Sequence, residues 1–315
     1  MNGKLDDPAW QNAPWTDYFQ DIEGGEKTKP RFKTRAKMLW DEDYFYIGAD
    51  LEEPQIWATL TKRDSVIFYD NDFEVFIDPD SDNHQYYEFE MNALNTVWDL
   101  RLPKPYKDGG SAIDSWDIEG LKTAVHVDGV LNNPNVKNCG WSLEIAMPWK
   151  ALREFSKVPA PPKHGDQWRV NFSRVEWEVT VEDGKFQKAP NQKEDNWVWS
   201  PQEVVDMHRP ERWGYVQFST SDPKSDRFRR DISHEVRAIL HEIYYAQHDF
   251  HAKNKQFAPN LQSLNLNFTP TKNLQTPPEI TLTKEGFWAT MALSFSKNRR
   301  ETWNIQQDAL IRKGL

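Results

Sequence analysis

Asp72-Phe-Glu-Val-Phe-Ile-Asp78 and Tyr86-Tyr-Glu-Phe-Glu-Met-Asn92 decide the fold. In the first, Phe73, Val75 and Ile77 alternate with Asp72, Glu74 and Asp78. In the second, Tyr87, Phe89 and Met91 alternate with Glu88, Glu90 and Asn92. Period two in aromatic and β-branched residues marks strands that bury one face. The polar run between them, Asp78 to His84, is rich in turn formers.

The same signature recurs outward in both directions. Thr34-Arg-Ala-Lys-Met-Leu-Trp40 and Tyr44-Phe-Tyr-Ile-Gly-Ala-Asp-Leu51 flank an acidic turn. Downstream come Leu121 to Val127, Trp141 to Met147, Gln167 to Trp177 and Gly214 to Phe218. Strands of this kind with only one helical turn among them, Pro148 to Phe155, predict a mainly β fold: an antiparallel β-sandwich of two sheets. Thirteen of the 15 tryptophans precede residue 220, and the formal charge changes there from −14 to +4. The boundaries follow: a sandwich over 1–219, a polar linker over 220–230, and a small α+β extension over 231–315. In the extension, Asp231 to Phe250 is the long helix, with Ile232, Val236, Ile239, Leu240, Ile243 and Phe250 on one stripe.

Composition removes several classes. No segment approaches the roughly 18 consecutive apolar residues of a membrane helix. A net charge of −10 argues against a nucleic-acid partner. The lone cysteine, Cys139, excludes an internal disulfide and any cysteine-rich metal cluster. There is no G-x-S-x-G, P-loop, dinucleotide glycine pattern or H-E-x-x-H, and no organic cofactor is expected. The start, MNGKLDDPAW, has no charged-then-apolar export signal. Met1 stands almost directly on the first structured turn, so the expectation is an export signal removed upstream.

Three groups of residues could carry chemistry. Asn196, Trp197 and Trp199 adjoin a polar loop, where flat rings with an amide beside them suit the apolar face and hydroxyl rim of a sugar. The same tryptophans also suit core packing. Glu74 and Glu90, with Asn92, share one face if their strands are neighbours. Paired carboxylates serve glycoside hydrolysis, bidentate hydroxyl recognition or nothing beyond a solvated surface. Asp78, Asp80 and Asp82 alternate like the start of a calcium loop, but the glycine and the glutamate of an EF-hand are missing. They are also a plain turn. Met207-His208 is the one pairing that haem ligation would use.

Taken together, the chain resembles the family 9 carbohydrate-binding modules over about residues 5–219. The pieces are Asp6-Asp-Pro-Ala-Trp10, Ala13-Pro-Trp15, Lys37 to Ile47, Asp70 to Pro79, Tyr87 to Asn92, Trp141 to Trp149, Gly165 to Arg174 and Pro210 to Gly214. The resemblance implies a secreted or periplasmic sandwich that binds mono-, oligo- or polysaccharides between aromatic rings, without catalysis, in polysaccharide utilisation. It also implies structural calcium. By position it makes Glu74, Asn92, Asn196 and one of Trp197 and Trp199 sugar ligands. Two departures stand out: Glu90 replaces the family's arginine, and Phe68 or Tyr69 replaces its first tryptophan. The competing readings are a glycoside hydrolase using Glu74 and Glu90, and a haem-binding redox domain on the same fold.

Overall fold

The computed structural model describes residues 1–25, 27–222, 225–296 and 299–314. The chain is mainly β, and it divides into two compact units. The first comprises Met1–Asp80, Gln85–Leu102 and Ala112–Arg227; the second comprises Ser81–His84, Pro103–Ser111 and Phe228–Leu315. Pro223 and Lys224 of the expected linker lie outside the described residues.

The first unit is two antiparallel sheets packed face to face. One has four strands in the order Thr34–Trp40, Tyr44–Glu52, Gly140–Pro148, Lys122–Asp128. The other has seven, running Gln20–Asp21, Asp195–Val198, Gln167–Glu176, Asp72–Asp78, Tyr86–Asn92, Val97–Leu102, with Gly214–Gln217 also paired to Gln167–Glu176. Alternation decides what lies between the sheets. Phe45, Ile47, Ala49 and Leu51 from one and Phe73, Val75, Ile77, Tyr87, Phe89 and Met91 from the other form one buried cluster. At one end of that core an aromatic group closes the layer: the Trp149 ring lies 5.5 Å from Trp168 and 5.8 Å from Phe45.

The second unit packs the helix His234–Asn254 on a four-stranded meander, Glu279–Leu282, Phe287–Ser296, Arg299–Gln306 and Ile311–Lys313. Val236, Leu240, Ile243 and Tyr244 meet Phe287, Ala289, Met291 and Ile305 in its core. The helix starts three residues later than its apolar stripe suggested, so Ile232 precedes it and is exposed. No described helix is long and apolar enough to cross a membrane.

Candidate functional site

Register puts Glu74 directly opposite Glu90, and Asp72 opposite Asn92. On the other side of the same strand, Ser173 stands opposite Glu74. Because side chains alternate along a strand, Asp72, Glu74, Glu88, Glu90, Asn92 and Ser173 share the face away from the core. Such a face would ordinarily be wet. Here it is covered: Asp72, Glu74, Glu88 and Glu90 are 0, 4, 5 and 1% exposed.

Part of the cover is the short 3-10 turn Ile67–Tyr69. The Phe68 N–H donates to Glu90 Oε2 at 3.0 Å, and Trp177 Nε1–H donates to the Phe68 carbonyl at 2.8 Å. Asn92 is a clip in the same fabric. Its Nδ2 donates to the Leu60 carbonyl and to Asp70, and its Oδ1 accepts from the N–H groups of Leu94 and Thr96. Asp70 in turn accepts from the Thr59 N–H and hydroxyl and from the Leu60 N–H.

Burial without a positive partner sets the electrostatics. Loss of solvent pushes the Glu74 carboxyl up to about 7; the Ser173 hydroxyl only moderates that rise, and neither Glu74 Oε2 nor Ser173 Oγ meets hydrogen-bond geometry. Burial first, then one another's charge, drives Asp72, Glu88 and Glu90 well above the usual carboxylate range. One carboxylate oxygen from each of Asp72, Glu74 and Glu90 lies within 4.8 Å of the others. A glycosidase must hold a sugar between its two carboxyls, about 5–5.5 Å apart in retaining enzymes and 6.5–9.5 Å in inverting ones. Glu74 and Glu90 are neighbours on a covered sheet face, which leaves no space for a glycosidic bond between them.

Open aromatic surface lies beside this row. Tyr69 is 55% exposed, and its ring centroid is 4.9 Å from that of the half-buried Phe68. The Lys188 ammonium lies 3.4 Å from the Trp177 ring centre, 5.4 Å from Tyr69 and 5.9 Å from Trp57. Burial lowers the Lys188 pKa, with Asp70 and Glu194 opposing that change. Sequence reading singled out Phe68 and Tyr69 but missed Trp57, Trp177 and Lys188. One available signal was Asp183-Gly184, both left-handed at φ 48° and 73°, which turns Val179–Glu182 back into Lys185–Lys188.

The later tryptophan loop is placed differently from the expectation. Asp195–Val198 is a strand paired with Gln167–Glu176, and its parity turns Trp197 inward. At 2% exposure, inside the core, Trp197 offers no ring face to a ligand. Trp199 is partly buried against the same core, 5.7 Å from the Phe172 ring, and Asn196 is half-buried on the other face. The aspartate run is divided between the units, Asp78 and Asp80 in the first and Asp82 in the second. His208 Nδ1 lies 2.9 Å from the Tyr86 hydroxyl, and Met207 packs beside Trp213 and Tyr86.

Comparison with known proteins bears on this sheet. A family described as carbohydrate family 9 binding domain-like matches residues 1–219. Over 118 residues, 37% of the chain, the sequence is 28% identical to the exoglucanase XynX of Acetivibrio thermocellus, spanning 9% of that protein's length. A candidate carbohydrate-binding protein from Bacteroides uniformis has a similar fold, with a TM-score of 0.51, 16% identity, and coverage of 70% of this chain and 93% of that one. A family 9 carbohydrate binding module from Caldicellulosiruptor kristjanssonii, in complex with cellotriose, gives a TM-score of 0.45 at 15% identity, covering 73% and 94% of the two chains.

Proposed function

The chain belongs to the carbohydrate family 9 binding domain-like family, and on that premise we propose that its first unit binds sugar without cleaving it. The family match over residues 1–219 carries the reading, and the exposed Tyr69 ring beside the half-buried Phe68 supports a site there. A pyranose would stack on Tyr69 through its C–H face, and the Lys188 ammonium beside that ring would donate to hydroxyls. Asn196 and the outer edge of Trp199 remain secondary candidates on the same sheet. Glu74, Glu90 and Asn92 are buried on the sheet face, where Glu90 accepts from the Phe68 N–H and Asn92 donates to Asp70. Export to the periplasm or beyond belongs to the same proposal, because polymeric sugars do not enter cells.

A site of this size fits dissociation constants between micromolar and millimolar, about −8 to −4 kcal/mol. Calorimetric titration with glucose, cellotriose and other oligosaccharides tests it, each mixture being checked afterwards for cleavage. Saturable binding of intact sugar is expected. Tyr69→Ala should weaken it at least about tenfold, the effect of roughly 1.4 kcal/mol, with the unfolding temperature unchanged. Cleavage products would overturn the non-catalytic reading, and silence across the panel would overturn binding itself.

A further inference from the structure

We propose that Asp72, Glu74 and Glu90 form a buried site for a hard divalent cation of the calcium class, with the Ser173 hydroxyl as a further oxygen donor. The first observation is geometric. The three carboxylates converge, one oxygen of each within 4.8 Å of the others, on adjacent strands whose register fixes them. The second concerns polar atoms that the protein leaves unsatisfied. Asp72 Oδ2, Glu74 Oε2, Glu88 Oε2 and Ser173 Oγ are buried and make no hydrogen bond to any described residue. Ser173 is 0% exposed and faces Glu74 across the ladder. Buried polar groups are paired in the great majority of cases, so four orphans in one patch point to a ligand they share.

The third observation is charge. Among the described residues, none of Asp72, Glu74, Glu88 and Glu90 forms an ion pair, and like charges directly opposite each other on a ladder repel. Leaving several buried carboxylates ionised without a counter-charge is prohibitively costly. A cation relieves the repulsion and satisfies the orphan oxygens together. The donor set is all oxygen, which suits calcium or magnesium and disfavours the metals that prefer nitrogen or sulfur. Calcium tolerates the irregular geometry that a ladder imposes, whereas magnesium demands a near-ideal octahedron. The hydrogen bonds already made leave room for this: Val175 N–H uses Asp72 Oδ1, and Phe68 N–H uses only one oxygen of Glu90. The assignment shares Glu90 with the support of the Phe68 turn, but it does not depend on sugar binding there.

The test uses the full chain, stripped with a chelator and returned to metal-free buffer, with calcium, magnesium and terbium ions as probes. Calcium is expected to raise the unfolding temperature by about 5 °C or more, and magnesium by less. Terbium luminescence, sensitised by Trp98 opposite Glu90, should appear and be displaced by calcium. Glu74→Gln and Asp72→Asn should each weaken both responses at least about tenfold, while Asp80→Asn leaves them intact. If Glu74→Gln does not fold, Ser173→Ala should show weakened terbium binding in a folded chain. No calcium response in the wild-type chain overturns the site. So does a response lost in Asp80→Asn but kept in Glu74→Gln. A third overturning result is Glu74→Gln raising stability equally in chelator and calcium without any terbium signal, since protons then neutralise the row.

Discussion

Arg174 shows how a single residue can be held by its surroundings. Its guanidinium is 1% exposed, and so is Glu53, with Glu176 at 3%. Five hydrogen bonds use its five N–H groups: two to Glu176, one each to Glu53, the Thr34 hydroxyl and the Glu52 carbonyl. The Trp197 ring lies 5.2 Å from the guanidinium, which gives that inward tryptophan a structural partner. Two carboxyl groups share this one guanidinium. Arg174→Met should therefore destabilise the first unit by about 3–5 kcal/mol in urea unfolding, because it strands both acids. Burial pushes Glu176 well above its usual value of 4.5, with Arg174 opposing and Glu53 adding to the rise. The folded chain then keeps a proton that the unfolded chain releases near 4.5. Stability from this group is full below that pH and declines as pH rises through the folded pKa. Urea midpoints of Glu176→Gln, measured from pH 5 to 8, should show a flatter decline than wild type; equal slopes would place the titration elsewhere.

At the scale of elements, Asp70 ties the segment Thr59–Leu60 to Asn92, one residue after the turn that carries Phe68 and Tyr69. Asp70→Ala removes the acceptor of four hydrogen bonds, including that of the buried Asn92 amide. It should cost about 2–4 kcal/mol and also weaken sugar binding, which Tyr69→Ala does without loss of stability. Hydrogen exchange at Leu60 and Thr59 would rise in the first variant alone. This clip also explains what could be read from sequence. Thr34–Trp40, Asp72–Asp78 and Tyr86–Asn92 were legible to the residue, because an alternating apolar face is a local property. Asp195–Val198 was not, since its polar letters read as loop and only its partner strand makes it β. That Glu74 and Glu90 face each other hung on their strands being neighbours, which the pairing supplies; that they are buried was not legible. Their burial depends on a segment near Phe68 crossing the sheet, and strand periodicity carries no record of it.

At the scale of the molecule, charge and tryptophan content change near residue 220, and that change says nothing of which segments make up the second unit. That unit is discontinuous, because it takes Ser81–His84 and Pro103–Ser111 from inside the first unit's span. The inserted pieces are fixed within it by specific bonds. Asn83 Nδ2 donates to the Ala309 carbonyl, the Ile311 N–H donates to the Asp82 carbonyl at 3.1 Å, and the Tyr244 hydroxyl donates to Asp108. Lys107 donates to the Tyr245 hydroxyl. Such bonds link residues more than 130 positions apart, so their closing entropy is met only in the intact chain. A peptide of residues 228–315 keeps the helix and the meander but loses these partners, together with the satisfied carbonyls they supply. It should show weak, non-cooperative thermal unfolding by circular dichroism, with an exchange-labile amide at Ile311, whose N–H loses the Asp82 carbonyl. The same stretch in the full chain should unfold cooperatively with that amide protected. Equal protection in peptide and chain would make the inserted segments passengers, and the second unit a contiguous domain.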